Sequence, residues 1–83
     1  DYLTENVYPT YYVKVYQYDL KGNFIREYES EIEAYRITGI SHIGTCCKGK
    51  LKTAGGYIWS YTKLTEEEIN YIVQEIKNFY VRR

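Results

Sequence analysis

The sequence predicts an α+β fold, in which a β-hairpin is followed by a short helix-turn-helix, a closing β-strand and a C-terminal amphipathic helix. Residues 12–18 (YVKVYQY) and 23–29 (NFIREYE) are rich in β-branched and aromatic residues and flank a glycine, which is typical of a hairpin. Two short helical segments then meet at Gly39, and residues 65–83 carry apolar side chains at helical spacing.

The 83 residues fit one small domain with little room for an enzyme cleft. We expect a leading segment at residues 1–11, a modular core at residues 12–62 and an amphipathic helix at residues 63–83. A start at Asp1 without an initiator methionine suggests a piece of a longer protein. Because no apolar run approaches the roughly 20 residues that span a bilayer, we expect no membrane partner and a cytoplasmic location.

The strand pattern leaves the orientation of the hairpin open, since both faces of its first strand carry large side chains. Gly22 and Asn23 suit the positive φ of a hairpin turn. Residues 56–62 (GYIWSYT) predict a third strand that pairs with the hairpin. Gly55 and Gly56, just before it, predict a turn with positive φ.

The helix-turn-helix is predicted from its capping residues. Ser30 and Glu33 have the spacing of a capping box, and Gly39 fits the left-handed residue just past a helix end. Ser41 is then expected to cap a second helix, Ser41 to Lys48. The apolar positions agree with two packed helices: Ile32, Ala34 and Tyr35 form one surface, Ile40 fills the corner, and Ile43 lies above Cys47.

The C-terminal helix has the clearest pattern. Thr65 and Glu68 form a second capping box, and Leu64 can pack on Ile69. Three glutamates lie in the first turn of the helix, and Arg82 and Arg83 lie at its other end, so both charges complement the helix dipole. Its apolar stripe contains Ile69, Ile72, Val73, Ile76 and either Phe79 or Tyr80. Docking on the same domain is favoured, with a second copy or a missing neighbour left open.

The charge is balanced overall but unevenly distributed. Residues 1–33 hold seven acidic and three basic residues, residues 34–65 hold five basic and no acidic residues, and residues 66–83 hold four acidic and three basic residues. A purely basic middle third indicates a polyanionic partner despite the zero net charge.

Cys46 and Cys47 are the most conspicuous chemical feature, yet they predict no chemistry. Zinc sites use cysteines two to four residues apart and need four ligands, whereas here His42 is the single histidine. A disulfide between neighbours within a helix is equally disfavoured, and no acidic residue lies near His42 in sequence to support a nucleophile. We therefore expect no catalytic residues, metal or cofactor, with Cys47 in the core and Cys46 at its rim.

The basic connection at residues 48–56 does not fit a nucleotide-binding loop, because its glycines precede a strand and not a helix. Lys48, Lys50 and Lys52 can be ordinary solvated residues. However, they directly follow the second helix of a helix-turn-helix, where the chain would pass a DNA backbone.

At these residues the sequence resembles the first type of nuclease-associated modular DNA-binding domain, which accompanies HNH and GIY-YIG homing endonucleases. The resemblance covers residues 13–61, and is carried by the hairpin glycine, the S-x-x-E-A start of the first helix, TGI at the turn and the segment CCKGKLKTAGGYIW. Tyr35 departs from the pattern, in which a small residue is usual. The helix at the C-terminus lies outside it.

The resemblance implies a module that binds double-stranded DNA beside a covalently linked or associated nuclease and has no catalytic residues of its own. With the second helix in the major groove, we expect base contacts from Ser41, His42, Gly44 and Thr45. Phosphate contacts are expected from Lys48, Lys50 and Lys52, with Arg36 and Lys63 as secondary candidates. The alternative is a protein-interaction or dimerisation module that uses the Tyr-rich hairpin and the C-terminal helix.

Overall fold

The computed structural model describes residues 13–81, with side chains as far as Phe79. Within this range the order is β1 (Val15–Tyr18), β2 (Phe24–Tyr28), α1 (Glu31–Thr38), α2 (Ile43–Cys47), β3 (Ile58–Ser60) and α3 (Glu66–Val81). The predicted α+β fold is confirmed. The leading segment at residues 1–11, Tyr12 of the first predicted strand, the side chain of Tyr80 and the terminal Arg82 and Arg83 lie outside the described residues.

The three strands form one antiparallel sheet in the order β2-β1-β3. Tyr16 pairs with Glu27 on one side and with Ser60 on the other. The closing strand therefore pairs with the hairpin, as predicted, although at three residues it is shorter than the expected segment.

The sheet is covered on both faces. Val15, Tyr28 and Trp59 pack with residues of α1 and α2 in one buried cluster. Tyr18 and Ile58 pack with α3 in a second cluster on the opposite face. This arrangement explains why both sides of β1 carry large side chains, a point that the alternating pattern left open.

A buried hydrogen bond lies on the face of the sheet that packs against α1 and α2. The Tyr28 hydroxyl donates to Oε1 of Gln17 at 2.6 Å, and Gln17 is 5% exposed. Burial raises the pKa of Tyr28 above its ordinary value, which further favours the protonated phenol that acts as the donor. A buried amide needs such a partner because an unpaired one costs about 1–3 kcal/mol.

The hairpin turn has the predicted positive φ at Gly22 but not at Asn23. Gly22 has φ 95°, and Oδ1 of Asp19 accepts hydrogen bonds from the backbone N–H groups of Lys21 and Asn23. A Cβ on Gly22 would lie 3.2 Å from Val73 of α3. The turn therefore needs glycine both for its φ and for contact with the C-terminal helix.

The first helix begins and ends where its capping residues predict. Oγ of Ser30 accepts from the Glu33 amide at 3.1 Å, and Oε1 of Glu33 accepts from the Glu29 amide at 2.8 Å. Gly39 ends the helix with φ 76°, and its N–H donates to the carbonyl oxygen of Tyr35 at 2.7 Å.

The start of the second helix was predicted wrongly. The helix spans Ile43–Cys47, and its N-cap is His42, which has φ 66° and makes no side-chain capping bond. Ser41 lies one residue too far out to cap, since a capping side chain must reach the second or third helical amide. Lys48 follows the helix as its C-cap.

Two predictions about the apolar residues are also wrong. Ile32 and Tyr35 are 47% and 57% exposed, and only Ala34 of that predicted surface is fully buried. The burial of the two cysteines is the reverse of the prediction, since Cys46 is buried and Cys47 is half-buried. Ile43 and Cys46, three positions apart, share the inward face of the helix, and Cys47 packs against the edge of the same cluster.

The C-terminal helix begins at Glu66, with the predicted capping box complete in both directions between Thr65 and Glu68. Ile69, Val73 and Ile76 are buried against the sheet, so the favoured docking on the same domain is confirmed. Leu64 and Ile72 are partly buried against this cluster, whereas Phe79 is exposed. No helix within residues 13–81 has the length and apolar character to cross a membrane.

Candidate nucleic-acid interface

A groove between α1 and α2, with a volume of about 400 Å³, gathers five of the nine residues that the sequence analysis singled out. They are Ser41, His42, Gly44, Thr45 and Lys48. We call this the α1–α2 groove. Its opposite wall is formed by Glu31, Ile32 and Tyr35 of α1.

Ser41 and His42 stand in the turn that precedes α2, and both are exposed. His42 is the single non-glycine residue with positive φ in the described range, at 66°. This conformation is uncommon for side-chain-bearing residues, although histidine is among the more tolerant ones. The backbone thus holds the imidazole at the mouth of the groove at some conformational cost.

Gly44 and Thr45 lie within α2 and are half-buried. A Cβ on Gly44 would lie 2.6 Å from Oε1 of Glu31. The space beside Gly44 is therefore filled by a carboxylate from α1, which also accepts a hydrogen bond from the Tyr61 hydroxyl at Oε2. The missing side chain at residue 44 allows α1 and α2 to approach.

Lys48 and Lys50 are exposed at the end of α2. The Lys48 amide donates to the carbonyl oxygen of Gly44 at 3.0 Å, and the Lys50 amide donates to that of Thr45 at 3.1 Å. Gly49 between them has φ 85°. These bonds tie the two lysines to the end of α2, where Lys48 lines the groove and Lys50 lies beyond it.

Lys52 is placed apart from these two lysines. Its Nζ lies 3.4 Å from Oε1 of Glu75 and 5.7 Å from the centroid of the Phe79 ring, both on α3. The pair is solvent-exposed, with about 40% of each side chain accessible. Such pairs are worth only about 0–1 kcal/mol, so a phosphate can compete for the ammonium group.

The secondary candidates lie at other places on the surface. Arg36 is exposed in the last turn of α1. The Nζ atom of Lys63 lies 5.3 Å from the centroid of the Phe24 ring, beside the hairpin. Neither residue lines the α1–α2 groove.

The connection after the lysines is fixed to the groove by a glycine turn. Gly55 and Gly56 have φ 63° and 86°, and Ala54 pairs with Tyr57 across them through two backbone hydrogen bonds. Positive φ at both central residues is what a type I′ turn requires. A Cβ on Gly55 would lie 2.7 Å from Ile40, the residue at the corner of the helix-turn-helix.

The two cysteines at the end of α2 are poor nucleophiles. Burial, reinforced by the neighbouring Cys46 and Glu31, raises the pKa of Cys47 to about 12, and burial also raises the pKa of Cys46. Both thiols are therefore protonated at neutral pH. Among residues 13–81, no group of three or more His, Cys, Asp or Glu side chains is placed to hold a metal ion.

The α1 wall of the groove was not predicted from the sequence. Ile32 and Tyr35 were assigned to a packed apolar surface, and no role was predicted for Glu31. The departure of Tyr35 from the small residue expected there was a usable signal, because a large side chain at a packed position often turns outward. No sequence pattern pointed to the contact between Tyr61 and Glu31, which lie 30 positions apart.

Comparison with known proteins finds one matching family model and several similar proteins. Residues 13–44, from before β1 into α2, match the model of the NUMOD1 domain. The chain is 44% identical over 71 residues to an uncharacterized HNH endonuclease, L245, of Acanthamoeba polyphaga mimivirus, covering 82% of the chain and 22% of that relative. It is 48% identical over 50 residues to probable mobile endonuclease B of Enterobacteria phage T4, covering 57% of the chain and 19% of that relative.

The chain spans about a fifth of the length of these curated relatives. No solved structure matches the chain significantly. The matched residues include the hairpin, α1, the turn and the first part of α2. Residues 13–44 are thus a nuclease-associated modular domain of the NUMOD1 type.

Proposed function

We propose that the chain binds double-stranded DNA with the α1–α2 groove and its adjoining lysines, and that it positions a linked or associated endonuclease. The observation that carries the proposal is the gathering of Ser41, His42, Thr45 and Lys48 along one groove of a helix-turn-helix. In such motifs the beginning of the second helix meets base edges in the major groove.

Base contacts are assigned to the turn and first residues of α2. Ser41 and His42 are exposed and carry hydrogen-bonding groups without a described partner, and Thr45 offers both a hydroxyl and a methyl group. Gly44 contributes its backbone, with one side already occupied by Glu31. Side chains of these types can read donors, acceptors and the thymine methyl group.

Phosphate contacts are assigned to Lys48, Lys50 and Lys52, with Arg36 and Lys63 as secondary contacts. Phosphate contacts set the register of the protein on DNA without reading its sequence. Three such contacts predict a log–log salt slope of roughly −2.7, which weakens binding about 40-fold between 50 and 200 mM salt.

A single module of this size buries little DNA surface, so we expect weak binding by the module alone. Attachment to a nuclease raises the effective concentration of both at one site. The relatives are named as endonucleases, whereas we propose that the present residues supply binding and no cleavage. Incubation of the fragment with DNA and Mg²⁺ should leave the DNA intact. A cytoplasmic location remains a prediction.

The direct test is a titration of labelled duplex DNA at 50 and 200 mM salt. Wild type is compared with the Lys48/Lys50/Lys52→Ala triple variant and with a control in which Lys14 and Lys77, outside the proposed interface, are changed to Ala. We expect the triple variant to lose most of its affinity and of its salt slope, and the control to lose little. Salt-independent binding, or unchanged binding by the triple variant, would refute the phosphate role.

Base contacts need a separate readout. His42→Ala or Thr45→Ala should alter the preference among DNA sequences while leaving the salt slope nearly unchanged. A uniform loss across all sequences would instead assign these residues to the backbone.

Self-association through α3 is a second candidate function, and the exposure of Tyr71 and Phe79, at 67% and 56%, favours it. Ile76 is buried within the domain, so its substitution would unfold the module and test nothing. Light scattering of Tyr71→Ser over a range of concentrations is the better test. A dimer that is lost in this variant would support self-association, and a monomeric wild type would exclude it.

A further inference from the structure

Glu31 is an acidic side chain in the wall of a groove whose other polar residues are neutral or basic. It lies opposite Ser41, His42 and Thr45 in the α1–α2 groove. The described ion pairs join Lys14 to Glu27 and Lys52 to Glu75, so no described cation neutralises Glu31. A carboxylate in a DNA-facing groove repels phosphate and needs a physical reason to be there.

Two contacts fix the position of this carboxylate. The Tyr61 hydroxyl donates to Oε2, and the bare Cα of Gly44 gives the carboxylate a place against α2, since a Cβ there would lie 2.6 Å from Oε1. The carboxylate is thus held between α1, α2 and the residue just after β3. A side chain held in this way loses little further freedom when it meets a ligand.

The second oxygen is available. Oε1 of Glu31 accepts no hydrogen bond from the described residues. Every buried side-chain oxygen among those residues has a hydrogen-bond partner. Oε1 must therefore reach solvent, and Glu31 lines the groove. The groove consequently presents one hydrogen-bond acceptor of fixed position, beside the residues assigned to base contacts.

We propose that Glu31 is a specificity-determining residue that accepts a hydrogen bond from the exocyclic amine of a cytosine in the major groove; this inference rests on the proposed DNA-binding function. Guanine and thymine present acceptors to the groove, which a carboxylate repels. The adenine amine is flanked by acceptors on both sides, its own N7 and O4 of the paired thymine, whereas the cytosine amine has an acceptor, O6 of the paired guanine, on one side only.

The experiment begins with selection of preferred duplexes by the wild-type protein, followed by a four-base panel at each selected position. We expect one position at which cytosine is preferred by about tenfold, the range of a good base contact. In Glu31→Gln this preference should disappear or move to adenine, whose N6 and N7 pair with a glutamine amide. Preferences at other positions and the salt slope should remain.

Gly44→Ala provides an independent variant, because its methyl group must displace the Glu31 carboxylate while alanine favours the helix. It should relax the same position as Glu31→Gln. Glu29→Gln is the matched control: it removes the same charge from an exposed residue outside the groove and should leave every preference unchanged. Thermal unfolding of each variant ensures that folded proteins are compared.

The outcomes separate the two proposals. Sequence-specific binding by wild type with an unchanged base panel in Glu31→Gln would overturn the role of Glu31 and leave DNA binding intact. Absence of DNA binding by wild type would overturn both. A loss of preference spread evenly over all positions would assign Glu31 to the packing of α1 against α2, and would also overturn the inference.

Discussion

The Nζ atom of Lys52 lies 3.4 Å from Oε1 of Glu75, so one of the three predicted phosphate-binding lysines already has an acidic partner on α3. Lys48 and Lys50 have no such partner among the described residues. The three lysines follow one sequence pattern, but a DNA phosphate must displace a carboxylate only at Lys52.

Release of Lys52 should therefore strengthen DNA binding. Glu75→Gln is expected to raise the affinity two- to threefold at 50 mM salt, because an exposed ion pair is worth about 0–1 kcal/mol. Glu67→Gln, which removes the same charge elsewhere on α3, is the control for the general loss of negative charge. Fluorescence anisotropy measures both. Equal affinities of the two variants would show that Glu75 does not compete with phosphate.

Because His42 has a left-handed backbone conformation, its substitution should affect the stability of the fold and the recognition of DNA differently. His42→Gly should be at least as stable as wild type, since glycine adopts φ 66° without steric cost. His42→Ala keeps the strain and should gain nothing. Chemical denaturation measures stability, and the base panel measures recognition, which both variants should lose. A loss of more than about 1 kcal/mol in His42→Gly would mean that the imidazole stabilises the fold.

The two glycines before β3 are expected to differ although both have positive φ. Gly56→Ala should cost about 1–2 kcal/mol from the backbone alone, as nothing lies within 4 Å of its Cβ. Gly55→Ala should cost more, because its Cβ would lie 2.7 Å from Ile40. Urea denaturation compares them. Combining Gly55→Ala with Ile40→Ala should recover part of the difference, and no recovery would contradict the proposed clash.

The cysteines should resist alkylation. A Cys47 pKa of about 12 against the ordinary value of 9.0 means a thiolate fraction roughly a thousandfold lower at pH 8. Mass spectrometry after iodoacetamide treatment should detect slow modification of the native protein and fast modification in urea. Equally fast labelling in both states would contradict the burial. Because the pKa of Cys47 is higher in the folded than in the unfolded state, the free energy of unfolding depends on pH. The contribution of the buried neutral thiol to that free energy is fully present below pH 9 and is lost as the pH rises towards about 12.

Local patterns predicted most of the fold. Ser30 with Glu33 and Thr65 with Glu68 form the expected capping contacts, and Gly39 ends α1. These features were predictable because each depends on residues a few positions apart. The docking of α3 followed from its apolar stripe.

The candidate site was less predictable, because its geometry depends on contacts between distant residues. The left-handed His42 moves the start of α2 beyond Ser41, and Cys46 is buried more fully than Cys47. The placement of Glu31 depends on Tyr61, and that of Lys52 depends on Glu75. No local spacing encodes such pairs.

The most direct test of the DNA-binding account is an amide chemical-shift titration of the ¹⁵N-labelled chain with duplex DNA at low salt. The account predicts shifts that concentrate on residues 41–52, with the outward face of α3 around Tyr71 unchanged. Shifts centred on Tyr71, or no saturable shifts at all, would contradict recognition of DNA by the α1–α2 groove.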